Sequence, residues 1–295
     1  MMQPLVVDAP SPTDTRGPHV KGSVRAMWIS DLHLGLSACR ADALLGFLKA
    51  HPTPLIMMVG DMADLLQMRR GLRWDASYSR LLRYLLKRVE KGVRVVYVPG
   101  NHDAQFRDLA GQTVFGIEIA QQAIYRHESG PLLVTHGDEA DAVVRISPLL
   151  ATVGGWGYDV LLEINTLMTG VQRVLGRRPW SLAKAVKASV KRACTYISEF
   201  EGTLAAQARA RGCVGVICGH IHHAEVREVD GVRYYNTGDW VESCTALVEH
   251  WDGRLALVHA PAAAPATISA EVGGIGPLRV EEDEEADLPW PTVLR

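Results

Sequence analysis

The chain has 295 residues, enough for one large α/β domain with a substantial core or for two small domains. Hydrophobic residues make up 47%, charged residues 22%, and the formal net charge is -2, so nothing global draws the chain to nucleic acid and any basic surface must be local. The cysteines (Cys39, Cys194, Cys213, Cys218 and Cys244) are scattered and form no CxxC pair, which argues against a disulfide framework or a structural zinc site and points to a reducing compartment. No run approaches membrane-spanning length, and the start lacks the charged and apolar regions of a signal peptide. The cytosol, or the cytosolic face of a membrane, is therefore the expected location.

Residues 1–22 are rich in Pro, Thr, Gly and Asp and predict a disordered lead before a domain over 23–260. Short apolar runs then predict buried strands at Ala26–Ile29, Leu55–Val59, Val93–Val98, Leu132–Thr135 and Val214–Cys218. Helical stripes separate them, one of Ala43, Leu44, Phe47 and Leu48, another of Leu81, Leu82, Leu85 and Leu86. Residues 140–212 interrupt this alternation. Their stripes, Leu161 to Leu175 and Leu182 to Ile197, predict an inserted helical lobe or lid broken near Gly176 and Pro179. Ala224 to Val258 reads as antiparallel strands with turns at Asp230-Gly231 and Asp252-Gly253. From 261 the chain becomes Pro/Ala-rich, Gly-rich and then acidic, which predicts a flexible tail over 261–295. Together these predict an α/β protein with a mixed sheet or two packed sheets and helices outside.

The chemistry lies at the C-terminal ends of the apolar runs. Asp31-Leu32-His33 comes after the first; Gly60-Asp61, with Asp64 beyond, comes after the second. Gly100-Asn101-His102-Asp103, His136-Gly137-Asp138 and Gly219-His220-Ile221-His222 end the other three. Each alone reads as a capped turn or a satisfied core histidine. Repeated after every strand, they deliver carboxylate, imidazole and amide donors to one rim, where open α/β sheets gather their sites. Carboxylates and imidazoles without thiolates suit Mn, Fe, Co or Zn, and a carboxylate is suited to bridge two such ions.

The ordered series DxH, GDxxD, GNHD, HGD and GHxH over residues 31–222 resembles the calcineurin-like metallophosphoesterase family. The resemblance implies a four-layer αββα sandwich and two divalent ions, Mn2+ foremost with Fe, Zn or Co as alternatives. Asp31, His33, Asp61 and His222 would hold one ion; Asp61, Asn101, His136 and His220 would hold the other, with Asp61 bridging. It further implies in-line attack on phosphorus by water held between the ions. His102 would stabilise charge or protonate the leaving oxygen. Asp103 would orient His102 or simply cap a turn.

A narrower likeness runs through Tyr235-Asn236-Thr237-Gly238-Asp239-Trp240-Val241-Glu242-Ser243 and the helical insertion. These are similar to the UDP-2,3-diacylglucosamine diphosphatase group of lipid A biosynthesis, which implies release of UMP and a lipid sugar 1-phosphate. The chain departs from that group in carrying GNHD where GNRD is usual, which marks a paralogous subgroup with its own substrate left open. No acidic residue stands between Ile164 and Ser198, whereas Lys184, Lys187 and Lys191 recur at helical spacing. That face suits an anionic lipid or membrane surface, or is an ordinary solvated cationic face. Arg69 and Arg70 clamp a phosphate or form a solvent-facing loop. Two alternatives stay open: a phosphomonoesterase or phosphodiesterase acting on a soluble nucleotide or phosphoprotein, and a non-catalytic scaffold. No nucleic-acid partner is expected.

Overall fold

The structure, a computed structural model, describes residues 3–11, 23–71, 74–142 and 182–260, without the side chains of Arg70, Ala142 and residues 182–192. Seven strands form one sheet in the order β13 (Leu255–His259), β12 (Thr245–Glu249), β2 (Ala26–Ile29), β3 (Leu55–Val59), β4 (Arg94–Val98), β6 (Ile117–Ile119) and β5 (Thr113–Val114). Six form the other, in the order β1 (Leu5–Asp8), β7 (Ala123–His127), β8 (Gly130–Val134), β9 (Gly215–Cys218), β11 (Val232–Asn236) and β10 (Glu225–Val229). Strands β2, β3 and β4 run parallel, as do β8, β9 and β11.

The apolar runs are continuous because both faces of these strands are covered. Side chains alternate across a strand, so Trp28, Met57 and Val96 point between the sheets, where they meet Tyr125, Leu132 and Ile217. Their neighbours Met27, Ile56 and Val95 point the other way, onto helices α1 (Ala41–Ala50) and α3 (Ala76–Glu90). On the far side, Leu133, Val216 and Tyr234 bury against Phe200, Leu204 and Ala208 of α4 (Leu182–Ala210). The result is helix, sheet, sheet, helix: the expected four layers. A short helix, α2 (Leu65–Arg70), is capped by Asp64, which accepts from Gln67 N.

Several expectations need adjustment. Residues 5–8, placed in a disordered lead, are strand β1; Leu5-Val6-Val7 is an apolar run with two β-branched valines, of which Val7 is fully buried, and it pairs in parallel with β7. The helical segment over 140–212 is not all lid. Phe200, Leu204, Ala205 and Ala208 recur on one face and build the outer layer of the sandwich. The remainder of the expected lobe, 143–181, lies outside the described residues, as do 12–22 and the tail from 261. In α3, Leu81 and Leu85 face the core, whereas Leu82 and Leu86 sit at its edge, each 37% exposed. The two predicted turns do close antiparallel pairs, but the pairs go to different sheets: β10–β11 to one and β12–β13 to the other.

Candidate metal centre

Parallel strands bring their C-terminal ends to a common rim, and there the backbone bends sharply. Of eight non-glycine residues with positive φ among the described residues, five are Asp31, His33, Asp61, His220 and His222, at φ 52–73°. Each such conformation costs about 1 kcal/mol or more, so strain is concentrated where side chains must converge. Two glycines permit close approach: a Cβ on Gly100 would overlap Asp61 and the His136 ring, and one on Gly219 would overlap Asp31.

Buried contacts fix the loops from behind. Ser30 Oγ lies 2.6 Å from Thr237 Oγ1, Asn236 Nδ2 donates to Gly219 O at 2.9 Å, and Trp240 N donates to Asp31 O at 3.0 Å. The fully buried Trp240 packs edge-on against Phe47 of α1. The Tyr235–Ser243 segment is thus a buttress for the Asp31 and His220 loops.

Within the rim, each carboxylate has one oxygen tied to backbone and one left for the cluster. Asp31 Oδ2 accepts from His220 N at 3.0 Å, and Asp61 Oδ1 accepts from His102 N at 2.8 Å. The free Asp31 Oδ1 is buried without an aligned hydrogen bond, 3.3 Å from His222 Nε2 and 3.9 Å from His33 Nε2. Those two imidazole nitrogens face each other at 3.2 Å. Asp61 Oδ2 lies 4.0 Å from His33 Nε2 on one side and 3.2 Å from His136 Nε2 on the other. Asn101 Oδ1 is 3.3 Å from the same His136 nitrogen. Asp31, His33 and His222 thus make one group and Asp61, His136 and His220 another, the donor atoms of each within 4.8 Å of one another. Adjacent donors on one ion, each at about 2.1 Å from it, stand about 3 Å apart, which is the spacing these pairs approach. The residues present fit two divalent cations with Asp61 between them.

Electrostatics agree. Burial pushes the Asp31 and Asp61 carboxyls up, but the imidazoles of His222 and His136 outweigh it, and both fall below the ordinary carboxylate value. Burial lowers His136, yet Asp61 lifts it to about 10; Asp31 likewise lifts His222 above its ordinary value against burial. Burial dominates at His33 and lowers it. Without a cation, protons held on His136 and His222 balance the two carboxylates. Metal binding to such donors replaces protons.

His102 stands beside this set. Its ring meets the edge of His33 at 4.7 Å between centroids, and Nδ1 lies 3.2 Å from Asp64 Oδ2. It also groups with His33 and Asp61 as a potential donor. The carboxylate beside His102 is therefore Asp64 and not Asp103, with no hydrogen bond aligned between them. Asp103 is fully buried and accepts from Gly100 N at 2.6 Å, Met62 N at 2.7 Å and the Tyr97 hydroxyl, so it staples the two ligand loops together. Burial raises its pKa, with Tyr97 pulling the other way. Arg107 performs a similar task, donating to Pro99 O at 3.1 Å and to Asp138 Oδ1 at 2.7 Å. Arg69 is exposed on α2, as a solvent-facing residue would be; the side chains of Arg70, Lys184, Lys187 and Lys191 lie outside the described residues.

Sequence reading named Asp64 without giving it a role and passed over Asp141. Asp64 was visible within GDxxD, and its 3.8 Å approach to His33 Nδ1 gives it a second histidine. Asp141, three residues beyond the HGD motif, accepts from His220 Nε2 at 2.6 Å and from the Tyr196 hydroxyl at 2.6 Å. Only an acidic run at 138–141 marked it in the sequence.

A rim of histidines and carboxylates on a four-layer sandwich defines a metal-dependent hydrolase. The chain belongs to the calcineurin-like phosphoesterase family, whose profile matches residues 24–224. That membership makes it a phosphoester hydrolase with a divalent metal site. Solved structures similar to it include Vacuolar Protein Sorting 29 from Cryptosporidium parvum, 12% identical, covering 79% of this chain and 94% of that one at a TM-score of 0.39. Yfce, a phosphoesterase from E. coli, is 14% identical over 80% of this chain and 99% of its own, at 0.38. Phosphopantetheinyl Hydrolase from Mycobacterium tuberculosis is 16% identical over 74% and 90%, at 0.34. A search of curated protein sequences gave no match. Among the described residues, no helix is long and apolar enough to cross a membrane.

Proposed function

We propose that the substrate is a pyrophosphate linking UMP to an acylated sugar, as in UDP-2,3-diacylglucosamine, met at the cytosolic face of a membrane. The observation that carries this is where the cationic run ends. Residues 164–198 lack any acidic side chain in the sequence, and Tyr196, near the C-terminal end of that stretch, reaches the metal centre through Asp141 and His220. A sequence that is cationic and apolar, and whose C-terminal end meets the catalytic rim at Tyr196, suits an anionic head carrying acyl chains.

Two divalent cations, Mn2+ in this reading, would be held by Asp31, His33, Asp61 and His222 and by Asp61, Asn101, His136 and His220. When bound they supply Lewis acidity and lower the pKa of water toward neutrality. His33 stays neutral and presents Nε2. Asp61 joins the two halves, and its second oxygen fixes the backbone of His102. That histidine, 32% exposed on its side chain and beside Asp64, would donate a proton to the leaving oxygen.

One observation favours a second reading, hydrolysis of a soluble phosphoester. The Tyr235–Ser243 segment that resembles the lipid-specific group is engaged in buttressing the metal loops, a task independent of acyl chains. The two readings separate on one comparison: turnover of UDP-2,3-diacylglucosamine and of an unacylated nucleotide diphosphate sugar, both with Mn2+. We expect kcat/KM to favour the acylated substrate by about 100-fold or more, since each buried methylene contributes about 0.8 kcal/mol. Equal values would establish the soluble reading instead.

A further inference from the structure

We infer that Asp141 and Tyr196 form a positioning pair for the second cation, setting which nitrogen His220 offers and tying α4 to that half of the centre. The inference rests on the two-cation reading above.

A ligating histidine is usually oriented through the ring nitrogen that does not bind the metal. His136 obeys this with its Nδ1 at 2.9 Å from Val59 O, so Nδ1 donates there and Nε2 is the nitrogen that faces Asp61 and Asn101. His33 turns Nδ1 toward Asp64 at 3.8 Å and Nε2 toward Asp31 and His222. At His220 the arrangement is reversed. Nε2 lies 2.6 Å from Asp141 Oδ2, and an ionised carboxylate can only accept, so Nε2 carries the proton and Nδ1 is left with its lone pair. The Tyr196 hydroxyl donates to the other Asp141 oxygen, so both oxygens of this carboxylate are placed as acceptors.

Asp141 is half-exposed and sits on a single 3-10 turn, Asp138–Ala142, too short to hold it alone. Its other oxygen accepts from the Tyr196 hydroxyl at 2.6 Å, and Tyr196 stands on α4 one turn before Phe200. The Phe200 ring lies over His220 at 5.9 Å between centroids and 32° between planes. Helix α4 thus holds His220 twice, by a ring contact and through the Tyr196–Asp141 relay.

The test is Mn2+ titration by calorimetry on the full chain and on Asp141→Ala, Asp141→Asn and Tyr196→Phe, with electron paramagnetic resonance reporting whether bound ions are paired. Wild type should take up two ions with a paired-ion signal. Asp141→Ala should weaken the second binding event by about 10- to 100-fold while sparing the first, a typical cost for losing a ligand's outer partner. Asp141→Asn keeps an acceptor and should lose less. Tyr196→Phe, which removes one hydroxyl and no potential ligand, should weaken the second event by a few-fold, and excess Mn2+ should restore turnover in all three. Unchanged second-site affinity in Asp141→Ala overturns the inference, as does tighter binding, which would make Asp141 a competitor of the ion. An effect of Asp141→Ala with none in Tyr196→Phe overturns the pair. If wild type itself takes up fewer than two ions, the two-cation reading fails instead.

Discussion

Two buried clusters of carboxylate, imidazole and aromatic hydroxyl sit at opposite ends of the same strands. Asp31 lies just past the C-terminal end of β2, whereas Glu249 of β12 pairs with Ala26 at its start. Around Glu249 every group is answered. Arg25 NH1 donates to Oε1 at 3.0 Å, the Tyr125 hydroxyl donates to Oε2, and His127 spends its nitrogens on Gly253 O at 2.8 Å and Ser129 Oγ at 2.7 Å. The metal-centre cluster is assembled from the same residue types but left open: Asp31 Oδ1 and His33 Nδ1 are buried without hydrogen bonds, and two imidazole nitrogens face each other. A balanced cluster holds two sheets together. An unbalanced one, built on strained backbone, is a donor set matched to cations. Residue composition alone does not distinguish them; satisfaction does.

The sharpest break in this comparison is Asp61→Ala. Removing the carboxylate shared by both halves should abolish measurable turnover and reduce bound Mn2+ from two ions to one or none, read by elemental analysis of the purified protein. Two ions retained in this variant would mean that Asp61 does not join the halves. Next comes His102→Ala, which should retain both ions while turnover falls by about 100- to 10,000-fold, the range expected for a lost general acid. Metal loss equal to that of Asp61→Ala would place His102 among the ligands, where its grouping with His33 and Asp61 also allows it. At the other rim, Glu249→Gln leaves Arg25 and His127 facing a neutral amide. Denaturant unfolding should show a loss of about 3 kcal/mol, the low end for a broken buried pair, with metal content untouched. A change in metal content there would erase the distinction between the two clusters.

The two rims also differ in how legible they were. The ligand rim could be read because parallel strands buried on both faces appear as unbroken apolar runs, and each run ends in a donor. The Glu249 cluster had no such signal. Tyr125 and His127 lie on β7, whose burial alternates with the polar Arg126 between them, and they meet Glu249 only through the packing of the sheets. The same limit bears on Asp103, read as orienting His102 or capping a turn. Its neighbour His102 suggested a partnership, but the side chain turns inward to backbone amides around Met62, forty-one residues away. Adjacency in sequence gives adjacent backbone, whereas strand ends meeting in space give partners. Asp141 was hidden for that reason, since its two contacts, His220 and Tyr196, come from β9's loop and α4.

Protonation gives the smallest effect and the finest test of the contrast. In the metal-free protein Asp61 lifts His136 from an ordinary 6.5 to about 10. A folded-state pKa above the unfolded value stabilises the fold fully below 6.5, and that contribution disappears as pH rises through about 10. Metal-free protein should accordingly lose unfolding free energy between those values, as the carboxylate loses its proton-borne counter-charge. Mn2+ binding should take the opposite course. It displaces the His136 proton, so affinity should rise with pH by up to about tenfold per unit for each proton released. Calorimetry in buffers of different ionisation enthalpy counts those protons directly, and about one or more per chain is expected near pH 8. The Glu249 cluster, which binds no ion in this account, should titrate identically with and without Mn2+. Metal uptake that releases no proton, with metal-free stability flat across the same window, would mean that the ligand rim is as self-balanced as its counterpart.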